Sequence, residues 1–185
     1  MPILQRESCC YPENLLDEFC SASTDRRWWV FYTKARQEKA LARDLVASST
    51  AFYLPLVPKT LVYGGRRRTS HVPLFSGYVF VFAHDDERIR ALTTNRVSRT
   101  LDVTDPAQLV ADLEQISWLI GSGAPLTVEA RLAAGQRVRV RRGPFAGLEG
   151  TIVMRRGISR LLISVNFLQQ GVSVEIDDFL VEQMA

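Results

Sequence analysis

LFSGYVFVF, residues 74–82, decides how the N-terminal half of this chain is read. Four of its nine residues are aromatic. Side chains alternate faces along a strand, so Tyr78, Phe80 and Phe82 stand together while Val79 and Val81 go to the other face. Three uses of those rings are open from this stretch alone: a platform for bases, a dock for a protein, or core.

Working outward, WWVFYT (28–33) is a strand by its aromatic and β-branched content. A helix is predicted from about Arg36 to Ala47, with Leu41 and Leu45 four apart and Ala42 and Val46 beside them. AFYLPLV (51–57) is strand material, and Pro55 and Pro58 favour an edge or irregular strand. TLVYGGRRRTSHV (60–72) reads as a hairpin whose two glycines supply the positive φ of a tight turn. DDERIRAL (85–92) is a short helix with acids at its positive end, and VSRTLDV (97–103) a further strand. Asp105 and Pro106 start a helix that Gly121 stops, with Leu109, Leu113, Ile116 and Ile120 as its apolar stripe. This order predicts the α+β class, an antiparallel sheet flanked by helices.

Residues 122–134 hold small residues, a proline and no periodicity, so they are expected to be a linker. Beyond them come short strands at RVRVR (137–141), LEGTIVMR (148–155), RLLISV (160–165) and VSVEI (172–176), separated by turn residues. Closely spaced short strands predict a small β-barrel. The expected plan is a poorly ordered extension over 1–25, a first domain over 26–121, a linker over 122–134 and a barrel domain over 135–185. A short helical turn is expected at Leu15–Phe19.

Composition narrows the function classes. The chain has 185 residues, 46% hydrophobic and 23% charged, with a net charge of +3; it is globular, and the charge is too small to imply nucleic-acid binding by itself. No apolar run approaches the ~18 residues of a membrane span. Glutamates and Pro12 stand where a signal peptide has its apolar core, which predicts a cytoplasmic protein. Cys9, Cys10 and Cys20 are the only cysteines, an odd number in one tail, which suits neither a disulfide framework nor a zinc site. His71 and His84 are the only histidines. With no nucleophile and base paired, the expectation is no catalysis, metal or cofactor. His84-Asp85-Asp86-Glu87 is read as a helix start, not an acid–base cluster. The aromatic strand approximates an RNA-recognition strand, but Val79 stands where Gly or Ala is wanted and no Lys or Arg precedes Gly77.

A family resemblance rests on particular stretches. GQRVRVRRGPFAGLEGTIV (135–153) resembles the KOW motif, a glycine-marked hairpin, with Gly143, Gly147 and Gly150 at its turn positions. WWVFYTKARQEKAL (28–41) and VPLFSGYVFVF (72–82) resemble the two signature stretches of the NusG N-terminal domain. Both together, in this order, resemble the NusG family over residues 28–183. TKARQEKA and RGISRLLISVNFLQQGVSVEID look more like the RfaH and UpxY type of antiterminator within it.

The resemblance implies a non-catalytic, monomeric factor for bacterial transcription elongation and antitermination. It implies an SH3-like KOW barrel, clamp helices of RNA polymerase as partner of the first domain, and Rho or a small-subunit ribosomal protein as partner of the second. Tyr32, Phe75, Tyr78 and Phe80 match the apolar polymerase-facing cavity, and Thr93 and Thr94 lie near the segment that meets the opposite lobe. Lys34 matches a basic position near non-template DNA, and Arg66, Arg67 and Arg68 form a further basic tip. Phe145, Phe167 and Leu168 match the partner-facing loops of the KOW domain. The sequence departs from the family pattern at Ser76, where a proline is usual, at Thr94-Asn95-Arg96-Val97 in place of Thr-Pro-Gly-Val, and at Gln169-Gln170 in place of Gly-Arg. A different class, a ribosome- or RNA-binding KOW protein with an aromatic sheet, lacks the N-terminal signature pair.

Overall fold

The computed structural model describes residues 8–18, 25–131, 135–177 and 180–184. The chain divides into two compact units, residues 1–106 and 107–185.

In the first unit the elements run β1 (Cys10–Tyr11), α1 (Leu15–Glu18), β2 (Arg27–Thr33), α2 (Glu38–Ala47), β3 (Ala51–Tyr53), β4 (Leu56–Tyr63), β5 (Arg66–Pro73), β6 (Tyr78–Ala83), α3 (Asp85–Thr93) and β7 (Val97–Asp102). Among the described residues five strands form one antiparallel sheet in the order β1-β3-β6-β2-β7, and β4 and β5 pair only with each other. The opening stretch becomes β6, paired to β2 with Trp28 opposite Phe82, Val30 opposite Phe80 and Tyr32 opposite Tyr78. Directly opposed residues share a face, so the predicted three-ring face continues across β2. On the other face Trp29, Phe31, Val79 and Val81 pack with Leu41, Ala42 and Leu45 of α2, Phe52 of β3 and Ala91 of α3. That packing explains the Leu41/Leu45 spacing, which turns both side chains to the sheet.

Residues 8–18 differ from the expected loose extension. Cys10 and Tyr11 pair with Tyr53 and Phe52, the Leu54 N–H donates to the Cys9 carbonyl, and Leu15 and Leu16 are buried. The strand is two residues long, too short for any alternation to reveal it; its partner edge supplies the order. The predicted strand over 51–57 breaks at Leu54-Pro55, since proline has no N–H for the ladder.

The second unit holds α4 (Pro106–Gly121, counted from Ala107), β8 (Thr127–Glu129), β9 (Gln136–Val140), β10 (Glu149–Arg155), β11 (Ile158–Val165), a 3-10 turn (Asn166–Leu168), β12 (Gln170–Glu175) and β13 (Val181–Gln183). The strands form an antiparallel sheet in the order β13-β9-β10-β11-β12-β8. Val138, Val140, Leu161, Ile163, Val172 and Val174 are buried, while Arg137, Arg139 and Arg141 alternate outward. No ladder joins β13 to β8 among the described residues. Within the expected linker, Thr127–Glu129 pairs with residues 171–173 as an edge strand. Arg160 donates to the Thr127 hydroxyl at 2.9 Å and Ser173 to Glu129 at 2.8 Å. Those ties come from β11 and β12, not from any pattern within 122–134. The division at 106/107 also groups α4 with the C-terminal strands, whereas the sequence reading placed it in the first domain.

Candidate functional site

The sheet of the first unit ends in a pair of rings. Tyr32 and Tyr78 face each other across β2 and β6 with centroids 5.2 Å apart and planes at 56°. Tyr32 is 41% exposed and Tyr78 half-buried. Gly77 makes the arrangement possible. Its φ is +85°, its carbonyl accepts from the Thr33 N–H at 2.7 Å, and its N–H donates to Glu38 Oε1 at 2.8 Å. A Cβ on Gly77 would stand 2.9 Å from Tyr32 Cε2. Glu38 is itself buried at the start of α2, so its carboxylate positions the turn instead of facing solvent. An open hollow at this corner is lined by Tyr32, Thr33, Lys34, Ser76, Gly77 and Ser98, among others.

The residues predicted for this surface do not all reach it. Tyr32 and Tyr78 do. Phe75 and Phe80 are fully buried, 1% and 0% exposed, so they support the surface and are not part of it. The alternation rule places Phe80 on the correct face, but burial along a strand changes from one end to the other, and alternation carries no information about that. Exposed Lys34 donates to Asn95 Oδ1 at 2.6 Å, and its backbone N–H donates to the Arg96 carbonyl at 2.8 Å. Thr93 and Thr94 close the end of α3, their hydroxyls donating to the carbonyls of Arg90 and Ala91 at 2.7 Å each. The turn that follows has Asn95 at φ +59°, a conformation asparagine tolerates better than most residues. Arg96 then ties back to α2, donating to Asp44 and Gln37 at 2.6 Å each. Lys34 and the Thr93–Thr94 turn, predicted for separate contacts, are thus neighbours in one rim.

Sequence reasoning gives Glu38, Gly77 and Arg96 no place in the site. Glycine after an apolar run was a visible signal for the turn at Gly77. Nothing in the sequence marked which carboxylate would receive its N–H.

Elsewhere in the unit Trp29 lies beneath two arginines, with the guanidinium carbons of Arg27 and Arg88 4.1 and 4.7 Å from its ring centroid. Asp85 pairs with both, and the Arg27 hydrogen bond leads in holding its carboxyl below the usual carboxylate range. The His84–Glu87 stretch forms the start of α3, with the His84 N–H donating to Glu87 Oε2 at 2.9 Å. Among the described residues no three His, Cys, Asp or Glu side chains gather as a metal set, and no helix is long and apolar enough to cross a membrane. Cys20 and Phe19 lie outside the described residues.

The loops predicted to face a second partner sit at one end of the C-terminal sheet. Phe145 is 9% exposed within the turn between β9 and β10, while Phe167 and Leu168 are half-buried in the 3-10 turn. Helix α4 holds both loops by side-chain-to-backbone hydrogen bonds. Buried Asp112 accepts from the Asn166 N–H at 2.8 Å, and Gln115 Oε1 accepts from the Glu149 N–H at 2.9 Å. A Cβ on Gly147 would meet the Trp118 ring at 3.6 Å, so that turn lies against the helix. These ties were not foreseen, because Asp112 and Gln115 read as the polar face of an ordinary amphipathic helix.

A protein-family model described as "Transcription termination factor nusG" matches residues 26–132. No curated protein matches the chain. Among solved structures, a chain of the crystal structure of the MjSpt4:Spt5 complex, conformation B, is similar over 86% of this chain and 97% of that one. Its identity is 14% and its TM-score 0.29.

Proposed function

The chain belongs to the NusG family of transcription factors, and from that premise we propose that it is an elongation and antitermination factor of the RfaH and UpxY type. Residues 26–121 bind the clamp helices of RNA polymerase. Residues 135–185 act as a KOW barrel that recruits a second partner, Rho or a small-subunit ribosomal protein, through Phe145, Phe167 and Leu168. Lys34 and Arg66–Arg68 lie on the DNA side of that complex, and Thr93 and Thr94 on the side of the opposite lobe.

One observation carries the polymerase reading: a tyrosine pair, Tyr32 exposed and packed on Gly77 and Tyr78 half-buried, beside an open hollow with a basic rim. Tyrosines on a rigid frame lose little entropy on docking, and interface anchors are enriched in them. Tyr78→Ala is expected to weaken polymerase binding by about 2 kcal/mol, roughly thirtyfold, while the purified variant stays folded by circular dichroism. Phe80→Ala is unsuited to this test, since a buried ring leaves a cavity. Full polymerase affinity in folded Tyr32→Ala and Tyr78→Ala variants would move the dock elsewhere. Co-purification of the tagged chain with ribosomal subunits and without polymerase would favour the alternative, a ribosome- or RNA-binding KOW protein.

A further inference from the structure

The β4–β5 hairpin is rooted in the core of the first unit at Leu56 but joins neither sheet's ladder among the described residues. Among the described residues its strands pair only with each other, over eight registered pairs from Leu56–Pro73 to Tyr63–Arg66. At the tip Gly64 and Gly65 have φ +54° and +76°, the two positive values of a turn whose twist matches paired strands. No Asp or Glu occurs between Asp44 and Asp85, so every charge on the ribbon is positive. Lys59, Arg66, Arg67 and Arg68 are exposed, and none makes an ion pair among the described residues. Opposed residues share a face, which sorts them. One face carries Lys59, Leu61, Arg66 and Arg68, and the other Thr60, Val62, Arg67 and Thr69. Leu61 is 51% exposed, an apolar side chain framed by cations with nothing covering it.

We propose that this ribbon inserts its Lys59–Leu61–Arg66–Arg68 face into the major groove of B-form DNA. The B-DNA major groove admits a two-stranded β-ribbon, offers guanine edges to arginine, and presents thymine methyls to apolar side chains. Eight residues at about 3.4 Å each make strands some 24 Å long, enough to reach from the sheet into a groove. The major groove of A-form RNA is deep and too narrow for side chains to read, so the same face discriminates against duplex RNA. The proposal deepens the DNA-side role given above to Arg66–Arg68 and rests on that role for the identity of the ligand.

The test uses the full chain without polymerase, which keeps failure of the polymerase dock separate from failure of this reading. Binding of a fluorescent 20-base-pair DNA and of the same sequence as duplex RNA is followed by anisotropy across a salt series. The intact chain is expected to prefer DNA by about tenfold or more. Arg66 and Arg68 each bring a cation against the phosphates that wall the groove, so replacing both with serine is expected to lower the salt slope by about 1.8. Arg67→Ser, on the opposite face, is expected to leave most of that slope in place. Tyr78→Ala is expected to bind DNA as the intact chain does. These side chains are exposed, so the serine variants keep the core, and circular dichroism checks it. Equal or tighter binding to duplex RNA overturns the groove assignment, as does an unchanged slope in the Arg66→Ser, Arg68→Ser double variant.

Discussion

At Gly77 three demands meet in one residue. The backbone needs a positive φ, the N–H must reach Glu38, and the space where a Cβ would be is filled by the Tyr32 ring. Alanine satisfies only the second. Gly77→Ala is therefore expected to destabilise the fold by roughly 1 kcal/mol or more, measured by denaturant unfolding, and to push the Tyr32 ring away from Tyr78. A change in the Tyr32 ring chemical shifts with unaltered core methyl signals would report that displacement; wild-type stability and shifts would contradict the account. The sequence announced the turn but not this crowding. Alternation assigned Tyr78, Phe80 and Phe82 to one face correctly, yet gave no means of knowing that Tyr78 is half-buried and Phe80 sealed. That difference depends on neighbours outside the strand.

Among the elements, those with their own periodicity were legible and those ordered by a partner were not. Helix α2, the β4–β5 hairpin and α4 stand close to where spacing and turn residues put them. Strands β1, β8 and β13 have two or three residues each, too few to form a pattern, and exist because an edge was available. Helix α4 illustrates the other limit. Its apolar stripe was readable at Leu109, Leu113 and Ile116, though Leu119 is buried in place of Ile120, while its polar side does structural work on the loops at residues 147–149 and Asn166–Leu168. A buried carboxylate that caps a backbone N–H is costly to remove, because the N–H is left without its acceptor. Asp112→Ala is expected to lower stability by about 1–3 kcal/mol and to speed amide exchange at Asn166 relative to the β11 strand. Unchanged exchange at Asn166 would show that the helix does not hold the loop.

For the molecule as a whole, the strand-rich C-terminal sequence bears on whether this unit has an alternative helical form. Val138, Val140, Ile152, Val153 and Ile163 are β-branched, which costs side-chain freedom in a helix and suits a strand. Pro144 between β9 and β10 would cost a helix interior about 3 kcal/mol. Residues Val138–Val153 in the intact chain are expected to give strand-type carbon chemical shifts by NMR, with turn values near Gly143–Gly147. Helical shifts there would mean that the rest of the chain overrides these preferences. The separately paired ribbon has a different consequence, one of inheritance. Because β4 and β5 share no ladder with either sheet, their exposed residues can mutate without disturbing the packing that keeps the protein folded. Descendants of this gene can acquire new targets by rewriting the exposed positions of one hairpin, and an engineer can exchange those positions between relatives while Leu56 keeps its place in the core.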